Sequence, residues 1–200
     1  MRFGDVNDLL KPGYLPLESG YQRLHDGSIV VAALSRVHGC SGAMLQWWFN
    51  RAKTPDEFVR WHPLEHVTSE DRDRIFLPVH RRGEEILRGK TQSVHPAEVF
   101  DAAALASADV SLVSCARGGP ADRDVWTMRM VHVGRDTADG CEVRSRFWMG
   151  VFDPPAEAPP REVIETIFSD ENAAWQMKHA MEEFYYASQF LPELYAREAR

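Results

Sequence analysis

The segment MKHAMEEFYY sets His179 and Glu183 four residues apart. On a helix that spacing brings both side chains to one face, close enough to hold one cation. An isolated pair of this kind is more often a polar couple facing water. Here the surroundings argue otherwise, because at 100° per residue Phe168, Asn172, Trp175, His179, Glu183, Tyr186 and Phe190 fall along one stripe. A carboxylate set among aromatic rings needs a partner, and a metal ion is one.

A second concentration of donors is RWHPLEHV, where His62 and His66 flank Pro63 and Glu65. Pro63 disfavours helical geometry at His62 but is suited to opening a turn, so His66 can project towards the core while His62 stays outside it. Either histidine alone also fits a hydrogen-bonded place beside Trp61, and Glu65 is a competing carboxylate. In HPAEVF, Glu98 lies among apolar neighbours three residues after His95; without further context it reads as an exposed loop acid. His132 ends the apolar series Trp126, Met128, Met130. It is expected to point inward, where an imidazole can bind substrate or move protons near neutral pH. His25, His38 and His80 sit beside expected loops and receive no role. No nucleophile elbow, phosphate-binding loop or dinucleotide fingerprint occurs.

These residues need elements to position them. Strand-like runs occupy 28–37, 109–117, 125–133 and 142–152, and in the third Trp126, Met128, Met130 and His132 alternate with Val125, Thr127, Arg129, Val131 and Val133. GRDTADG, at 134–140, joins the last two as a hairpin, so the sheet is expected to be antiparallel. Ser41 opens a helix over 41–52. Thr54, with Pro55 at the first position and Glu57 three residues on, opens another over 54–61. DPPAEAPP, at 153–160, reads as a loop before one long helix over 161–190, with Pro192 marking its end. The order predicts an α+β fold whose curved antiparallel sheet wraps the last helix and leaves a cavity between them.

A chain of 200 residues, 44% of them hydrophobic, suits one domain spanning 1–200. The net charge of −7 is spread rather than clustered, which argues against nucleic acid as a partner. No apolar run approaches a membrane span, and the first residues lack a signal-peptide core, so a cytoplasmic protein is expected. Cys40, Cys115 and Cys141 are odd in number and widely separated, which leaves histidine and carboxylate as metal ligands.

Taken in order, GYLPLESGYQRLHDG, GCSGAMLQWWFNR, WHPLEHV, HPAEVF and MKHAMEEFYYASQFLPELY resemble the diacetylphloroglucinol hydrolase family, which includes the phloretin hydrolases. The resemblance spans about residues 12 to 195. It implies a Bet v 1-like helix-grip fold and a zinc ion held by two histidines and two glutamates. Carried over, the ligands are His66, Glu98, His179 and Glu183, with His62 as the fallback for His66; the step from His66 to Glu98 has the family's length. The start GCSGAM departs from the family's usual helix start, so pocket residues beyond the ligands do not transfer, and neither does the substrate.

The activity implied is hydrolysis of a carbon–carbon bond between an acyl group and a phloroglucinol-type or related phenolic ring. Zinc would orient a phenolic or ketone oxygen, Glu98 or Glu183 would serve as base, and His132 would protonate the ring carbon. A small aromatic or acylphenol substrate is the expected partner, and a homodimer is compatible with the sequence. The rivals are a non-catalytic helix-grip carrier of a hydrophobic aromatic or polyketide ligand, and a metal-dependent polyketide cyclase or decarboxylase-like enzyme. Trp47, Trp48, Phe49, Trp126, Phe147, Trp148, Trp175 and Tyr186 lead us to expect an aromatic interior.

Overall fold

Eight strands form one sheet in the computed structural model, which describes residues 1–153 and 157–199. They are β1 (Gly20–Arg23), β2 (Ile29–His38), β3 (His66–Arg72), β4 (Ile75–Arg82), β5 (Glu85–Val94), β6 (Leu112–Pro120), β7 (Met128–Thr137) and β8 (Gly140–Met149). Their order is β1-β2-β8-β7-β6-β5-β4-β3, and every pairing is antiparallel. Between β2 and β3 the chain makes α1 (Gly42–Asn50) and α2 (Pro55–Trp61); α3 (Ala102–Ser107) precedes β6, and α4 (Arg161–Ile167), α5 (Asp170–Ser188) and α6 (Leu191–Glu198) close the chain. A curved antiparallel sheet gripping a long C-terminal helix is the helix-grip arrangement expected from the sequence.

The capping chemistry legible in the sequence operates as anticipated. Ser41 Oγ accepts from Met44 N–H, and Thr54 and Glu57 make a reciprocal capping box at the start of α2. β7 and β8 are joined through residues 138–139, with Thr137 paired to Gly140.

Two expectations are corrected. The segment 161–190 is not one helix: after α4 the chain leaves helical geometry at Phe168, and Ser169 caps a new helix by accepting from Asn172 N–H. Pro192 does not end a helix but sits in the first turn of α6, where its missing N–H is harmless. Of the proline-rich stretch 153–160, residues 154–156 lie outside those described.

Around β2, β7 and β8 the sheet is covered on both faces, so the alternation in β7 separates two apolar layers rather than core from solvent. One layer holds Val31, Phe147, Met149, Ala173 and Ala180, against α5. The other joins Val131, Val133 and Trp148 to Val6, Leu9 and Leu10 of a 3-10 segment at Phe3–Leu10. That segment is fastened by Arg144, which with Arg146 grips Glu18; the two are 3% and 1% exposed. Arg144 donates to both oxygens of Glu18 (2.6 to 3.1 Å) and to the carbonyls of Leu9 (2.9 Å) and Gly13 (2.7 Å); Arg146 donates to Glu18 Oε2 at 3.0 Å.

Glu18→Ala would leave two buried guanidiniums without their carboxylate and is expected to lower the unfolding free energy by ~3–5 kcal/mol. A denaturant midpoint shifted by less than about 1 kcal/mol contradicts that. Burial acts to raise the Glu18 pKa, but hydrogen bonds from Arg144, the Leu15 N–H and Arg146 outweigh it and hold the carboxyl below its ordinary range. The folded value is therefore the depressed one. Its stabilisation is present above the unfolded carboxyl pKa of about 4.3 and is lost as pH falls through the folded value.

Among the described residues no helix is long and apolar enough to cross a membrane.

Candidate metal centre

α2 ends at Trp61, and its capping residue His62 leaves helical geometry (φ −148°, ψ 82°), as the following proline requires. The chain closes one turn, with His66 N–H donating to His62 O at 2.8 Å, and enters β3 at His66. The turn gives the two histidines different partners. His62 is fully buried; its Nδ1 accepts the Glu65 N–H (3.2 Å), so Nε2 carries the proton and donates to Glu182 Oε2 (3.1 Å). Both of its nitrogens are occupied. His66 is the reverse case, because its Nδ1 lies 2.6 Å from the Phe58 carbonyl, which can only accept. Nδ1 is therefore the donor and Nε2 keeps a lone pair.

α5 supplies the facing side. His179 Nδ1 donates to Glu65 Oε2 at 2.7 Å, which leaves its Nε2 directed at His66 Nε2, 3.4 Å away. Glu183 Oε1 completes the group at 3.2 Å from His66 Nε2 and 3.5 Å from His179 Nε2. Two imidazole lone pairs and a carboxylate oxygen thus converge on one buried point, which favours a cation there.

A proton on His179 is one cation that answers this arrangement. Burial disfavours charge on His179, but Glu183 and Glu65 outweigh it and raise its pKa to about 9. Burial likewise acts to raise Glu183, yet the charge and hydrogen bond of His179 hold it well below the carboxylate range. A divalent ion can engage all three lone pairs at once, and one carboxylate with neutral imidazoles is a donor set that suits zinc.

Around this point the acids are individually answered. Lys178 Nζ lies 3.0 Å from Glu65 Oε1 and 2.6 Å from Glu182 Oε2. The carboxylate–histidine contact of Glu65 fixes the His179 tautomer that leaves Nε2 open.

His80, assigned nothing from the sequence, also reaches the centre: its ligand atom and those of His66 and His179 all lie within 4.8 Å of one another. Strand alternation in RIFLPVHRR, with Phe76, Pro78 and His80 on one side, was the signal available for it.

Glu98 is not brought to the group. It is exposed in a 3-10 turn at Pro96–Glu98, where its Oε1 accepts the His95 N–H (3.2 Å). It lines a cleft with Phe3, Arg117, Arg129 and Asp153. Gln92, Arg117 and Arg129 pair across β5, β6 and β7, on the face opposite to Ser114, His132 and Ser145. The carboxylate carried over from the family spacing therefore lies behind the sheet.

His132 does point inward. Its Nδ1 is 2.8 Å from Ser145 Oγ, its ring stacks on Phe49 at 5.1 Å, and Phe184 of α5 packs against its edge. Burial lowers its pKa to about 4 despite the nearby Glu183 charge, so the imidazole is neutral at physiological pH. Beyond Phe49, between α1 and the β5–β6 pair, opens a cleft of about 460 Å3 lined by Gln46, Asn50, Ser93, His95 and Ser114.

The aromatic interior is real but divided. Trp175 and Tyr186 flank His179 and His62 (4.9 and 5.3 Å between ring centroids), and Phe147 touches His132. Trp148 packs on Phe3 behind the sheet, Trp126 stacks with Lys90 and Arg117, and Trp47 meets Tyr195.

The chain was compared with known families, curated proteins and solved structures. The sequence pattern of the family described as "DAPG hydrolase PhiG domain" matches residues 1–196. A 2,4-diacetylphloroglucinol hydrolase of Pseudomonas protegens is 25% identical over 224 aligned residues, covering 96% of this chain and 72% of that protein. A second protein of that name, from Pseudomonas sp., is 25% identical, covering 96% of this chain and 75% of its own length. Among solved structures, the Zhui aromatase/cyclase from Streptomyces sp. R1128 superposes with a TM-score of 0.49 at 12% identity, covering 86% of this chain and 96% of that one.

Proposed function

The chain belongs to the DAPG hydrolase PhiG domain family, and on that footing we propose that it hydrolyses the carbon–carbon bond between an acyl group and a phloroglucinol-type or related phenolic ring, at a zinc centre that includes His66, His179 and Glu183. The observation that carries this reading is the convergence of His66 Nε2, His179 Nε2 and Glu183 Oε1 within 3.2–3.5 Å of one another. Relatives named 2,4-diacetylphloroglucinol hydrolase supply the substrate class.

A zinc ion held there would supply Lewis-acid polarisation of a ketone or phenolic oxygen. The chain's own residues manage the rest. Water adds to the acyl carbonyl carbon, the bond from that carbon to the ring breaks, and the ring carbon takes a proton, giving a carboxylic acid and an unacylated ring. We assign to His132, with Ser145 at its Nδ1, the transfer of a proton from water to the ring carbon; its lowered pKa makes it the weaker base and the stronger acid of that pair of steps. Glu183, whose charge acts on His132, is the second candidate for that proton. Glu98, behind the sheet, is withdrawn from both roles. Phe49, Phe147 and Phe184 around His132 keep water sparse and present flat apolar walls to an aromatic ring. The cleft beside Phe49 falls within the ~300–1,000 Å3 of small-molecule sites and is the route we assign to substrate.

Elemental analysis of the purified chain should give one zinc per molecule, and acid release from a panel of acylphenols should stop on chelation and return with zinc. Free zinc at a hundredfold excess over its dissociation constant should add ~2.7 kcal/mol of stability, visible as a raised melting temperature. Ligand binding without acid release by zinc-replete protein would instead support a carrier.

A further inference from the structure

The zinc reading leaves the centre one protein donor short, since Glu98 lies on the other face of the sheet. The β3–β4 hairpin brings a different residue into place. Its register pairs His66 directly with His80. The His80 ring centroid lies 5.1 Å from that of His66 and 5.1 Å from that of His179, and the ligand atoms of the three fall within 4.8 Å of one another.

A separate observation points the same way. His62, His66 and His179 each have a ring nitrogen hydrogen-bonded to the protein, but among the described residues the half-buried His80 ring makes no hydrogen bond at all. It is held by rings only, Phe58 at 5.7 Å and Trp175 at 6.2 Å. Its two ring nitrogens are thus uncommitted within the protein, and one of them is free to coordinate.

We propose that His80 is the fourth protein ligand, in the place that family spacing would give to Glu98, so that three imidazoles and one carboxylate hold the ion. The proposal rests on the zinc reading and sharpens its chemistry. With two carboxylates a divalent ion is formally neutralised; with Glu183 alone the centre keeps a net charge of about +1. It is then a stronger Lewis acid and prefers an ionised phenol or another anionic oxygen as substrate donor.

The test uses the full-length chain as wild type, His80→Ala, His80→Asp and Glu98→Gln. Folding is checked by circular dichroism, zinc affinity is read by competition with a chromophoric chelator, and the site is read by the visible spectrum of the cobalt-substituted protein. We expect Glu98→Gln to bind zinc within about twofold of wild type, with an unchanged cobalt spectrum. His80→Ala should lose at least the ~10–100-fold that disturbing even a supporting residue causes, with a shifted cobalt spectrum. His80→Asp, which keeps a donor atom, should recover part of the affinity and guards against misreading a folding defect. Wild-type affinity and spectrum in His80→Ala, or loss of zinc in Glu98→Gln, overturns the assignment. A wild-type chain that takes up neither zinc nor cobalt overturns the zinc reading and this assignment with it.

Discussion

His179→Ala is expected to strip the centre of its zinc and bring acid release down to the uncatalysed level. The substitution removes a donor whose tautomer Glu65 has already set, and it leaves Glu183 facing only His66. Zinc affinity should fall by more than the ~10–100-fold typical of losing a supporting contact, since a coordinating atom itself is gone. In the metal-free protein a stability loss of ~3–5 kcal/mol should accompany it, because the Glu183 carboxylate is then buried without its cationic partner. Glu183→Gln removes the charge at constant volume and separates the two effects: zinc should be lost, with a smaller change in melting temperature. Full zinc occupancy in both variants would place the metal elsewhere.

The second large effect is expected at His132. Replacement by phenylalanine fits among Phe49, Phe147 and Phe184, so the fold and the zinc content should stay as in wild type. The variant cannot accept or return a proton, and kcat should fall by ~10²–10⁴-fold with KM little changed. Ser145→Ala leaves the ring in place but frees its Nδ1 and should lie between the two. If His132→Phe turns over within about threefold of wild type, Glu183 is the group that moves the proton.

The parts of this architecture that could be read from sequence are those specified locally. The His179–Glu183 spacing, the Ser41 and Thr54 caps and the β7–β8 hairpin each rest on a few neighbouring residues, and all form, though the hairpin turn is residues 138–139 alone and the rest of 134–140 is paired strand. β3, β4 and β5 were not legible. Their sequence VTSEDRDRIFLPVHRRGEEILRGKTQ is rich in charge, and the two-residue turn between β3 and β4 uses Asp73 and Arg74 at φ 50° and 66° rather than the usual Asn-Gly. β3 is the edge strand, and β3, β4 and β5 bury only one or two side chains each, so this end of the sheet tolerates so polar a sequence.

Those strands set where the chain returns: they bring His80 opposite His66 and leave Glu98 on the other face. Counting about thirty residues from His66 reaches Glu98 on a straight reading, but two hairpins consume that length, and the residue that returns opposite His66 is His80. The inequivalence of His62 and His66, by contrast, followed from Pro63 alone. Their tautomers then depend on Phe58, Glu65 and Glu182, the last brought near by the packing of α5, and no sequence pattern announces that.

The central claim is hydrolytic carbon–carbon cleavage that depends on a metal at this centre, and labelled water tests it most directly. Zinc-loaded protein acting on an acylphloroglucinol in water enriched in oxygen-18 should release a carboxylic acid carrying one labelled oxygen, and should release none after chelation. Acid without the label, or labelled acid formed equally well by the chelated protein, would contradict the account.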